Sequence, residues 1–114
     1  MAYLKDLSGR ILLNVANNYI KELNGTIKYK IYNNQLQDMY GKILYVFDGE
    51  RVKNLSGRIV LYISDKQVKD IYGKIIVQFD STYIKKLSGS IEYCLDGFFS
   101  RIEKMAILTL LYAS

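Results

Sequence analysis

The sequence predicts a mainly β protein: a closed, shallow, 12-stranded antiparallel barrel of six 16-residue hairpin repeats, with a hydrophobic C-terminal helix in the barrel centre. Three observations carry that prediction. Gly9, Gly25, Gly41, Gly57, Gly73 and Gly89 recur every 16 residues without an insertion. Two residues after each stands an isoleucine, Ile11, Ile27, Ile43, Ile59, Ile75 and Ile91. After Gly97 the repeat gives way to a run that is apolar on nearly every side of a helix. A fixed internal period decides architecture before residue-level detail does.

The six copies occupy residues 3–98 of a single domain of 114 residues. In each, two strand-like segments flank the glycine. Ile59, Leu61 and Ile63 alternate with Val60 and Tyr62, as do Ile27-Tyr29-Ile31 and Ile43-Tyr45-Phe47. A period of two is a strand signal. The positions between vary: Leu12, Lys28, Leu44, Val60, Ile76 and Glu92. The invariant isoleucine face is therefore expected inside and the variable face outside.

Asp6-Leu7-Ser8-Gly9 and its equivalents read as type I turns, with the glycine left-handed in a three-residue hairpin loop. Asn24-Gly25 leaves a two-residue turn open for copy two. The hairpins are joined by Asn17-Asn18, Asn33-Asn34, Asp48-Gly49, Asp65-Lys66, Ser81-Thr82 and Asp96-Gly97, all turn formers.

Residues 100–113 read as the helix. Ser100 and Glu103 form a capping-box pair, and Ile102, Met105, Ala106, Ile107, Leu108, Leu110, Leu111 and Tyr112 cover most of its surface. A helix apolar all round is buried all round. Twelve strands leave a hole that such a helix fits. The rival architecture is a β-solenoid, but it would stack Lys5, Lys21, Lys53, Lys69 and Lys85 about 4.8 Å apart, an unfavourable column of like charge.

The unit Val52-Lys53-Asn54-Leu55-Ser56-Gly57-Arg58-Ile59, repeated through residues 3–98, resembles the repeat of the β-flower families, symmetric barrels with hairpin petals. Twelve strands around a hydrophobic C-terminal helix are also similar in architecture to the Tubby C-terminal domain and scramblase-like barrels. That second likeness implies phosphoinositide binding.

Composition narrows function by exclusion. The chain has no histidine, which removes the commonest general base and metal ligand. Cys94 is the only cysteine, so no intrachain disulfide forms, and its outer-face position marks an inert thiol. The acids recur at one turn position, where turn chemistry accounts for them. The glycines come singly, without a phosphate-cradling motif. The expectation is a non-enzymatic protein without cofactor or metal. With no secretory pattern at the N-terminus, it is expected in the cytoplasm.

A net charge of +5 favours anionic partners. Two sets of cations carry the candidate ligand-binding site. Lys5, Lys21, Lys53, Lys69 and Lys85 form one ring, and Arg10, Lys42, Arg58 and Lys74 the other. Both are expected near the Ser-Gly rim, facing an anionic membrane surface or a phosphorylated ligand. Because a repeat copies its charges with its strands, a plain solvated face produces the same rings. The alternative partner is a protein or a second copy, docking on an apolar outer face formed by Leu12, Leu44, Val46, Val60, Tyr62 and Ile76. Most tyrosines sit at inward or turn positions, which disfavours nucleic acid.

Overall fold

The computed structural model describes residues 2–113. Its strands are β1 (Ala2–Lys5), β2 (Ile11–Ala16), β3 (Tyr19–Lys21), β4 (Ile27–Tyr32), β5 (Gln35–Asp38), β6 (Ile43–Asp48), β7 (Arg51–Lys53), β8 (Ile59–Ile63), β9 (Gln67–Lys69), β10 (Ile75–Phe79), β11 (Tyr83–Lys86) and β12 (Ile91–Asp96). Each pairs antiparallel with its sequence neighbours, and β1 closes on β12. The ring is a disc of 36 × 36 × 20 Å.

Every Ser-Gly turn has one backbone pattern. In copy one the Gly9 amide donates to the Asp6 carbonyl at 3.1 Å, and the Asp6 amide donates to the Arg10 carbonyl at 3.0 Å. This is the three-residue loop expected from the sequence. Copy two follows it, with Gly25 donating to Glu22 and Glu22 to Thr26, so its Asn-Gly pair makes no two-residue turn. Gly57 shows why glycine stands there: its φ of 84° is left-handed, while open space lies where a Cβ would project. The demand is conformational rather than steric. At the opposite rim, Asn17-Asn18 and Asn33-Asn34 have positive φ at both residues, the two-residue hairpin geometry that asparagine tolerates.

Three inward layers line the barrel. One is Leu4, Ile20, Leu36, Val52, Val68 and Ile84, all essentially fully buried. A second is Val15, Ile31, Phe47, Ile63, Phe79 and Leu95, also buried. Leu13, Tyr29, Tyr45, Leu61, Val77 and Tyr93 form the third. The invariant isoleucines do not continue this face, contrary to expectation. A β-bulge intervenes in every copy: Leu4 pairs with Leu13, but Lys5 pairs with Ile11, so Leu12 is the extra residue. One inserted residue reverses which side chains point inward. Leu12, Val60 and Ile76 therefore pack on the core, while Ile59 and its equivalents lie outside it beside the outward lysines. The expected outer apolar face loses these three members.

The helix α1 (Arg101–Tyr112) runs through the barrel from the joining-turn rim to the Ser-Gly rim. Its first turn borders cavities formed by Asn34, Gly49 and Asp65, and Tyr112 at its other end donates to Glu92 Oε1 at 2.7 Å. Twelve residues at 1.5 Å each span about 18 Å, matching the height of the disc. The capping box is complete. Glu103 N donates to Ser100 Oγ at 3.2 Å, and Ser100 N donates to Glu103 Oε1 at 3.0 Å. Buried Glu103 also accepts from the Asn18 amide at 3.0 Å, which ties the helix to the turn between β2 and β3. Buried Thr109 satisfies its hydroxyl by donating to the Met105 carbonyl.

Leu108 is fully buried at the helix centre. Leu108→Asp places an unpaired carboxylate there and is expected to cost about 4 kcal/mol or more, abolishing cooperative thermal unfolding by circular dichroism. A variant that melts normally would mean the helix does not fill the barrel.

Candidate functional site: the Ser-Gly rim

The rim is built from six copies of one turn, and the turn side chains hold it. Asp6 Oδ1 accepts from the Ser8 amide, the Ser8 hydroxyl and the Arg10 amide at 2.9, 2.6 and 3.0 Å. Asn54 repeats all three contacts. Asp38 and Asp70 accept from the amides two and four residues on. In copy two Glu22 is a residue type too long for this, and Asn24 accepts from Thr26 instead. Copy six keeps the backbone turn with Lys86 at that place, which offers no acceptor.

With the turn held in this way, its second residue points off the barrel. Leu7, Leu23, Met39, Leu55, Ile71 and Leu87 are consequently exposed, between 48 and 67 %. Tyr40 and Tyr72 beside them are exposed by 86 and 88 %. Six apolar tips crown one face of the disc. The sequence contains the signal for them: an apolar residue recurring inside a turn cannot reach the core.

The two cation sets separate. Arg10, Lys42, Arg58 and Lys74 are exposed at the rim, as expected. Lys5, Lys21, Lys53, Lys69 and Lys85 are half-buried on the outer wall. Lys5 Nζ lies 2.6 Å from Asp96 and Lys53 Nζ 3.1 Å from Asp48, both acids at the opposite rim. Lys85 stands 5.7 Å from the Tyr83 ring centroid and borders a depression with Asp80 and Lys66. The expectation that both rings gather at the Ser-Gly rim is thus corrected. These side chains leave the wall next to the turn, and in copies one, four and six they lean away from it.

Lys86 joins the rim, as does Lys28, paired with Glu22 at 3.5 Å. The rim then carries six cations, Arg10, Lys28, Lys42, Arg58, Lys74 and Lys86, against the four turn acids Asp6, Glu22, Asp38 and Asp70. Glu92 is a fifth acid, bordering one depression with Lys74 and Lys86, so copies four to six set Arg58, Lys74 and Lys86 against Asp70 and Glu92. Glu92 accepts from Tyr112, whose own pKa burial and that carboxylate push up.

Two turn acids, Asp6 and Asp80, have lowered pKa values. The Ser8 hydroxyl chiefly lowers Asp6, and the Thr82 and Tyr83 amides lower Asp80 at the far rim. Among the described residues no cluster of His, Cys, Asp and Glu could hold a metal ion, and no helix is long and apolar enough to cross a membrane. Cys94 is half-buried and pairs with Lys5 and Tyr83 on the wall. No family model, curated protein or solved structure matches this chain.

Two outcomes are expected. Lys86→Asn supplies the missing acceptor to copy six, as Asn54 does in copy four, and should stabilise by about 1 kcal/mol in urea titration. Asp80 contributes stability that is complete above its ordinary value of 3.8 and is lost as pH falls through its lower folded value. Asp80→Asn keeps the acceptor but removes the titration. Its melting temperature should fall less than that of the wild type between about pH 5 and pH 2.

Proposed function

We propose that this protein is a non-enzymatic module that docks on anionic membrane surfaces through the Ser-Gly rim. One observation supports the reading above all: six exposed apolar tips share a face with six exposed or rim-placed cations. Apolar side chains at one level enter the boundary between headgroups and acyl chains, while cations beside them meet anionic lipid. Each cation near such a surface contributes about 1 kcal/mol at low screening. Each tip adds apolar burial at about 25 cal/mol per Å². The Tyr40 and Tyr72 rings are suited to the headgroup level, where one end of the ring is apolar and the other wet.

The architectural resemblance to phosphoinositide-binding Tubby domains agrees with this reading in ligand class. The contact proposed for this chain lies across the open turns of the rim. An outward apolar wall in copies three to five offers less support, since Val60 and Ile76 are core residues and Val46 and Tyr62 are half-buried.

The test is sedimentation with phosphatidylcholine vesicles, with and without phosphatidylserine. The wild type should pellet with the anionic vesicles alone and be released by salt. Arg58→Glu with Lys74→Glu should abolish pelleting. Leu55→Asn, Ile71→Asn and Leu87→Asn together should weaken it at least about tenfold although every charge is kept. Equal pelleting of both variants and the wild type would overturn the proposal. So would a wild-type dimer in light scattering that the triple variant disperses, with no vesicle binding.

A further inference from the structure

At the rim opposite the tips, the helix does not fill the barrel mouth evenly. Glu103 ties its first turn to Asn18, at the turn between β2 and β3. Six joining stations circle this rim, and the Ser64–Lys66 turn between β8 and β9 lies three stations from Asn18 in either direction. Depressions remain around the rest of the mouth: one of about 250 Å³ beside Asn34 and Gly49, and one of about 300 Å³ at Ser64 and Asp65, the latter within the range of small-molecule sites.

Its floor is apolar and rigidly packed: Ile63, Phe79, Phe99, Met105 and Leu108 are all buried. Phe98 stands at its edge, 84 % exposed, the most exposed apolar side chain outside the tyrosines. The polar residues of its lining are Arg101, Lys104, Ser64 and Asp65. Lys104 Nζ sits 5.8 Å from the Phe79 ring centroid, so its charge lies against the cavity wall. The basic part of the mouth owes nothing to repeat copying, since Arg101 and Lys104 belong to the unrepeated tail.

We propose that this cavity binds an amphiphile with an unbranched apolar tail and a carboxylate head. The tail lies across the accessible edges of Phe79, Phe99 and Met105 and covers Phe98. The head meets the Arg101 guanidinium and the Lys104 ammonium at the mouth. Arginine offers a carboxylate two parallel donors, and lysine adds a point charge. Lys104 also interacts with the Asp80 carboxylate and Asp65 lies at the mouth, so Arg101, with its two parallel donors, carries the preference for an anionic head. The inference is independent of membrane docking, because the tips crown the other face of the disc.

The experiment follows amide resonances of the full chain by NMR during titration with octanoate, octanol and octyltrimethylammonium. Octanoate should give saturable shifts centred on Ser64, Phe98 and Phe99. Arg101→Gln with Lys104→Gln should weaken it by about tenfold or more, with a native spectrum elsewhere. Phe98→Ala, which alters an exposed residue, should weaken all binding by shortening the apolar wall. Octanol should bind less tightly than octanoate, and the cation should give no saturable shift. Equal binding of the three compounds would overturn the proposal. So would the absence of saturable shifts with octanoate, or shifts at Leu55 and Leu87 instead of the cavity.

Discussion

A ring of twelve strands cannot close on its own side chains. Eight strands already bring inward residues into contact across a barrel, and twelve leave an axial hole. Everything else here depends on one helix filling that hole. Because the helix is surrounded, Met105, Ala106, Ile107 and Leu108 must all be apolar and nearly solvent-free at once. The barrel height then cannot exceed what twelve helical residues span, and strands of three to six residues meet that limit. The shallow disc follows, and so do two wide faces, one carrying six turns and the other five turns and the link from β12 to the helix.

The same constraint gives the helix ends different duties. At the joining-turn rim, Glu103 is a carboxylate inside the barrel mouth, supplied with two amide donors from Ser100 and Asn18. Carboxylates buried without donors are strongly disfavoured, so these bonds permit its place as well as fixing the helix. At the other end Tyr112 reaches Glu92, where copy six departs from an otherwise mostly apolar position. Glu92 is unlike its repeat equivalents, whereas the Asn18 amide has a counterpart in the Asn33-Asn34 turn. A sixfold barrel has six equivalent seats for one helix, and Glu92 distinguishes one seat from the rest.

Closure, strand order, turn type and the buried helix were legible in the sequence, because each rests on a period or a local rule. What escaped was a consequence of one extra residue per hairpin. Counting by two from Ile63 through Leu61 leads to Ile59, yet the bulge at Val60 breaks the count. Strand alternation is local, whereas a bulge is defined only by the partner strand, here Val52–Lys53. The lysine ring failed for a related reason: position along the strand did fix where Lys5 begins, but not where four flexible methylenes carry its ammonium. Asp96, far along the chain, decided that. The six tips are readable too, because an apolar residue that recurs at the second place of a turn has no strand to carry it inward.

Repetition bears on how much weight each surface feature can carry. When one turn is copied six times, a tip leucine or a rim cation appears six times whether or not each copy meets a partner. Apolarity at the tips is nevertheless hard to attribute to copying alone. The residue has drifted among Leu, Met and Ile, and the neighbouring place among Ser, Asn and Tyr, yet no tip has become polar. The turn itself makes no such demand, for its hydrogen bonds come from the residues on either side of the tip. Exposed apolar area of this kind lowers solubility without strengthening the fold. The charges tell less, having changed sign at Lys86 and vanished at Thr26 and Ser90. It is the persistence of the apolar tips through six drifting copies, more than the cations beside them, that argues for a surface on which this face of the disc comes to rest.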